Sequence, residues 1–141
     1  MKNGTTFSLN GGTTWQHSTS PRASFTTINA WKSNAGASIR FFLPWQIEGE
    51  TSLRADFRRG YNDVAMNTTE WIWNASVQKS LLKGALTFKL NAVDILGQLS
   101  TVSYNVNAQG RYEYWTNSLP RYAMLTVSYR FNYTPNLLKS N

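Results

Sequence analysis

Hydrophobic side chains recur at every second position through most of this chain, and the cleanest run closes it. Within residues 120–131, Ala123, Leu125, Val127, Tyr129 and Phe131 fall on one side of an extended strand, and Met124, Thr126, Ser128 and Arg130 on the other. Residues 4–17 repeat the pattern, with Phe7, Leu9, Gly11, Thr13 and Trp15 set against Ser8, Asn10, Thr14 and Gln16. A second strand is best defined over residues 35–43, where Ala35, Ala37, Ile39, Phe41 and Leu43 share a face and Pro44 stops the ladder. A third runs from about 47 to 61, opposing Leu53, Ala55, Phe57 and Tyr61 to Ser52, Arg54, Asp56 and Arg58. A fourth sets Trp71, Trp73, Ala75 and Val77 against Ile72, Asn74, Ser76, Gln78 and Ser80. A fifth covers residues 85–93, with Leu86, Phe88, Leu90 and Ala92 against Thr87, Lys89, Asn91 and Val93. The prediction is all-β: an antiparallel up-and-down meander of about six long strands.

The connections alternate in length. Polar stretches at 18–22 and 62–69 and a long Tyr-rich stretch at 99–118 take turns with short links at Pro44–Gln46 and Lys83–Gly84. Gly84 is placed to supply a positive φ in its turn. The 99–118 stretch reads as a hairpin continuing its flanking strands. Asp94 breaks the parity of the fifth strand, which predicts a bulge or an exit from the membrane over residues 94–98. A soluble sandwich has no reason to alternate short and long links. An outer-membrane barrel does, with short periplasmic turns and longer outer loops.

Aromatics sit at both ends of the apolar faces. From Phe7 to Trp15 is about 26 Å of strand, or roughly 19 Å of height at a 45° tilt, close to the roughly 25 Å lipid band between aromatic girdles. The pattern predicts an outer girdle of Trp15, Tyr61, Trp71 and Trp73 and an inner one of Phe7, Phe41, Trp45, Tyr129 and Phe131. It turns Arg40, Arg54, Asp56, Arg58, Lys89 and Arg130 toward a wet lumen as a net positive wall. Those charges could hold a plug or attract an anionic solute. The plainer reading, that they solvate the lumen and pair across strands, carries more weight.

Composition narrows the chemistry. The chain has 141 residues, 41% hydrophobic and 15% charged, and no apolar run approaches the roughly 20 residues of a spanning helix. Aromatics make up 14%, as a membrane interface or an exposed binding face would select. There is no Cys and His17 is the only histidine, which excludes thiol chemistry and His clusters. The net charge of +7 is scattered, with only Arg58 and Arg59 adjacent, so nucleic acid is not expected as a partner. Glu48 and Glu50 share a strand face but sit at a turn without other reactive groups, weak grounds for a glycosidase. No enzyme and no cofactor or metal site are expected. The first residues, Met1 to Phe7, lack an export signal, so the chain is expected to be either soluble and cytoplasmic or, as an outer-membrane protein requires, a piece whose signal lies upstream.

Several stretches carry a family resemblance. Residues 73–77 (WNASV), 81–84 (LLKG), 86–98 (LTFKLNAVDILGQ) and the closing 121–131 resemble the C-terminal end of TonB-dependent outer-membrane receptors, the large barrels that import glycans or peptides. The resemblance covers roughly the last half of the chain, and the first half matches in pattern only. It implies that residues 1–131 form part of an outer-membrane barrel, with 132–141 a loose tail. It implies as partners the lipid bilayer, the remaining strands and plug domain, the barrel-assembly machinery and a glycan or peptide solute. Tyr129-Arg130-Phe131 would be the assembly signal, although residues follow Phe131 here. Tyr104, Tyr112, Tyr114 and Trp115 on the long outer loop could stack on sugar rings, or pack across a hairpin. The alternative reading is a small soluble or secreted β-sandwich binding carbohydrate through exposed aromatics.

Overall fold

The computed structural model describes residues 4–21, 26–107, 110–117 and 119–131; the tail 132–141 lies outside them. Six strands form one antiparallel sheet in the order β1-β2-β3-β4-β5-β8: β1 (Thr6–Ser18), β2 (Ile28–Leu43), β3 (Ile47–Arg59), β4 (Thr69–Leu81), β5 (Leu86–Val93) and β8 (Tyr122–Tyr129). Between β5 and β8, β6 (Val102–Asn107) and β7 (Gly110–Trp115) pair only with each other. The expected all-β meander is therefore present. Within the 99–118 stretch, β6 and β7 form a separate hairpin that does not extend β5 and β8, which pair with each other from Leu86–Tyr129 to Val93–Tyr122. The strand around 35–43 also begins earlier, at Ile28, because Ser33 and Trp31 continue its parity.

Register keeps the two faces separate across all six strands. Phe7, Ile39, Thr51, Ala75, Ala92 and Ala123 form one row straight across the sheet. The next row toward the short turns is Thr6, Arg40, Glu50, Ser76, Asn91 and Met124. Side chains in directly opposed positions share a face, so the first row belongs to an apolar face and the second to a polar one. Among the described residues no second sheet covers the apolar face, and Leu9, Ile39, Leu53, Phe88, Leu90 and Val127 remain exposed on it. That arrangement disfavours a sandwich, whose stability comes from burying such a face.

The strands are also staggered. The row that begins at Thr6, the first residue of β1, ends at Met124, and β8 continues five residues further, from 124 to 129. Over five strand-to-strand steps this is one residue per strand. With about 3.3 Å per residue and 4.8 Å between strands, the implied tilt is roughly 35°, within the range of closed barrels. The sheet itself is open, with β1 and β8 as edges.

Local chemistry shapes the ends. At the short turns, Trp45 and Gln46 have φ of 63° and 59°, and Leu82, Lys83 and Gly84 have 52°, 55° and 91°, the left-handed turn geometry that follows the twist of a hairpin. At the other end, Asp94 ends β5 with φ 49°. Its backbone N–H donates to Asn74 Oδ1 at 2.9 Å, and its carboxylate accepts from the N–H groups of Gln98 and Leu99 at 3.0 and 3.1 Å. The chain then runs beside β4, with Ile95 N–H donating to the Trp73 carbonyl at 2.9 Å and Trp71 N–H to Gln98 Oε1 at 3.1 Å. The short β5 would otherwise leave those β4 backbone groups unpaired.

Candidate functional site

Three surfaces carry the chemistry: the apolar face, the polar face, and the loop end. The apolar face holds Trp15, Trp71 and Trp73 toward the loops, as the alternation predicts, and Trp31 joins Trp15 with ring centroids 6.2 Å apart. Phe57 meets Trp71 edge-on at 6.0 Å. Toward the turns lie Phe7, Phe41 and Tyr129, with Phe131 edge-on to Tyr129 at 4.5 Å just past β8. Trp45 is exposed in the first turn. Phe41 lies over Gly49, directly opposite, where any Cβ would strike its ring.

Tyr61 departs from expectation. Sequence parity puts it on the apolar face, but Gly60 (φ 85°) redirects the chain after β3. Tyr61 is instead buried to 7% exposure with Ile28, Ala30 and Met66. Ile28 and Ala30 have polar-face parity, so the 60–68 loop folds over that side. Asn67 anchors it, accepting from Tyr61 N–H at 3.0 Å and donating to the Tyr61 carbonyl at 2.9 Å.

Polar groups on the apolar face satisfy one another. The hydroxyls of Thr13 and Ser33 meet at 2.7 Å, Trp73 Nε1 donates to Thr51 Oγ1 at 2.8 Å, and His17 Nδ1 lies 2.6 Å from Asn29 Oδ1. Arg59 donates to the Thr68 carbonyl at 2.7 Å and Thr69 Oγ1 at 2.6 Å. Such pairing matters most where no water is at hand.

The sequence matches a protein family over residues 2–129, which covers every strand of the sheet. The chain belongs to the outer membrane protein β-barrel family. No curated protein and no solved structure matches it. Membership of the outer membrane protein β-barrel family places the chain in the outer membrane, in association with its lipid bilayer, and gives the single-layered, two-faced sheet its explanation.

On the polar face of this family member three of the six predicted charges, Arg40, Arg54 and Asp56, are held in ion pairs. Arg40 is held by Glu50 at 2.7 Å and lies 3.6 Å from Glu48, and Arg54 pairs with Asp56 at 2.9 Å. The two glutamates are thus cross-strand partners of an arginine. Lys89 borders a shallow hollow with Glu50, Ser52, Asn74, Ser76 and Asn91. Arg130 lies one residue past β8, its N–H donating to the Ala85 carbonyl at 2.8 Å. Arg58 lies directly opposite Lys32, a cation that sequence reading passed over because β2 was followed back only to Ala35. Among the described residues no group of three or more His, Asp or Glu is arranged to hold a metal.

At the loop end the β6–β7 register places Tyr112 and Tyr114 on one side of the hairpin and Trp115, opposite Val102, on the other. All three rings are exposed, Trp115 to 76%. Tyr104 pairs through its backbone opposite Glu113, and its side chain lies outside the described residues.

Proposed function

We propose that this chain forms a section of the wall of a TonB-dependent outer-membrane receptor or transporter, its role being structural and solute-facing and not catalytic. The apolar face meets lipid and the polar face lines the lumen. On β3, Ile47 lies level with Lys79 near the turns and Arg59 level with Trp31 near the loops. The twelve residue steps from Ile47 to Arg59 span about 40 Å of strand, or roughly 28–32 Å of height at 35–45° tilt, against an apolar band of about 25 Å. Lys79 and Arg59 would then reach the two interfaces, with the aromatics of the proposed girdles beside them. The observation that carries this reading is the mutual hydrogen bonding of Thr13 with Ser33 and Thr51 with Trp73 within the apolar face, whose charged residues Arg59 and Lys79 lie only at its two ends. A face bathed in water has no need of it.

Short turns lie on the periplasmic side, and the β6–β7 hairpin faces outward with Tyr112, Tyr114 and Trp115 available to a glycan or peptide solute. The open edges of β1 and β8 call for further strands, because unpaired backbone in lipid costs several kcal/mol per group. The isolated chain is therefore expected to fail as an independent fold. Reversible, monomeric unfolding in detergent-free buffer would refute that.

Two measurements test the whole. Brominated lipids should quench the tryptophan fluorescence of the assembled protein, and unquenched emission would refute the lipid-facing assignment. Cysteines introduced at Ser76 and Lys89 should be shielded from aqueous reagents by a plug. A wide, freely conducting pore in which both label at once would refute the receptor reading while leaving the barrel wall intact.

A further inference from the structure

A hollow of about 530 Å³ opens on the polar face between β1, β2 and β3, lined by Gly12, Thr14, Lys32, Asn34, Arg54, Asp56 and Arg58 among others. Register makes its layout specific. Thr14, Lys32 and Arg58 form one row straight across the three strands, and Gly12, Asn34 and Asp56 form the next. Lys32 and Arg58 are thus directly opposed like charges, with Cβ atoms about 5 Å apart, an arrangement that destabilises a sheet if nothing lies between them. The nearby carboxylate does not relieve it: Asp56 is committed to Arg54 at 2.9 Å, and among the described residues neither Lys32 nor Arg58 has an ion-pair partner. Glu70, opposite Asp56 on β4, forms no ion pair with Arg58 either. Gly12 leaves the floor of the hollow low, since a Cβ there would come within 3.1 Å of Asn34 Oδ1.

We propose that Lys32 and Arg58 form a binding site for a phosphate or sulfate group. The ammonium and guanidinium supply charge-assisted donors from two adjacent strands. The Thr14 hydroxyl and the Asn34 amide, beside them in the hollow, can serve the remaining oxygens. A bound dianion converts the cross-strand repulsion into two attractions, so the site has a reason to be cationic that solvation alone does not provide. The inference requires only that the polar face be wet, and does not depend on the transporter reading.

The test uses the chain within its assembled barrel in detergent or lipid, with inorganic sulfate as probe and chloride at matched ionic strength as control. Sulfate should raise the unfolding midpoint of the wild type above that in chloride. Lys32→Gln and Arg58→Gln should each weaken the apparent sulfate affinity by about tenfold, one charge-assisted hydrogen bond. Lys89→Gln, on the same face two strands away, should respond as the wild type does. The proposal is overturned if all four proteins respond alike to sulfate, or if none does. Replacing sulfate by a phosphorylated sugar asks whether the group is taken free or as part of a solute. Equal affinity for the two points to the free anion, and tighter binding of the sugar phosphate to a solute. Binding of neither refutes the site. Failure of sulfate binding in a protein whose tryptophans are still quenched by brominated lipid rejects this site without touching the wall assignment.

Discussion

Leu53 offers the sharpest test of which face meets lipid. It lies on the apolar face of β3, between Ala37 and Trp73 in register, and is 39% exposed. It lies six residue steps from Ile47 and six from Arg59, about 20 Å of strand in each direction, or roughly 14–16 Å of height at a tilt of 35–45°. It therefore lies close to mid-bilayer. An arginine on the lipid face at that depth costs about 2–4 kcal/mol, falling to about 0–1 near the interfaces. Ser52, its neighbour in sequence, points to the polar face, where a surface substitution changes stability by about 0.5 kcal/mol or less. The expectation is that Leu53→Arg destabilises the assembled protein by about 3 kcal/mol, while Ser52→Arg and Ile47→Lys, the latter level with Lys79, cost about 1 kcal/mol or less. Tryptophan fluorescence during guanidinium unfolding in phospholipid vesicles measures this. At a slope of a few kcal/mol per molar, Leu53→Arg should lower the midpoint by roughly half to one molar. If Ser52→Arg costs as much as Leu53→Arg, or Leu53→Arg leaves the midpoint in place, the assignment of faces is wrong.

Three further substitutions and one control probe the ends of the strands. Asp94 is 1% exposed, and Asp94→Ala strips the acceptor from two N–H groups, so a loss of about 1–3 kcal/mol is expected in the same unfolding assay. Gly60→Ala meets both a left-handed φ and the Asn29 carbonyl. It should cost about 1–3 kcal/mol and open the 60–68 loop to limited proteolysis; a loop as resistant as the wild type would contradict its fold over Ile28 and Ala30. Gly49→Ala drives a methyl into the Phe41 ring and should cost about 1–3 kcal/mol by overpacking, whereas Gly4→Ala, in open space, should be silent.

Strand identity, the number of strands in the main sheet and the face of nearly every side chain were legible in the sequence. A period of two is a local property, and each strand announces it without knowledge of its neighbours. Phe7, Leu53, Trp73 and Leu125 could be placed on one face from parity alone. Parity fails where the backbone leaves the extended region. Gly60 and Asp94 do that, so parity puts Tyr61 in a girdle when the 60–68 loop buries it against Ile28 and Ala30, and the path of Ile95 and Gln98 along β4 could not be foreseen.

Tertiary structure decided what depends on register. The sequence lists Arg40, Glu50, Arg54 and Asp56, but only the alignment of β2 with β3 sets Arg40 against Glu50 and leaves Lys32 facing Arg58 without a carboxylate. The alignment of β1 with β2 likewise joins the hydroxyls of Thr13 and Ser33, twenty residues apart. The stagger of one residue per strand, and with it the tilt, is a property of the whole ladder that no single strand encodes. Local alternation determines which way a side chain points; pairing across strands determines what it meets there, because hydrogen-bond register is a relation between distant segments.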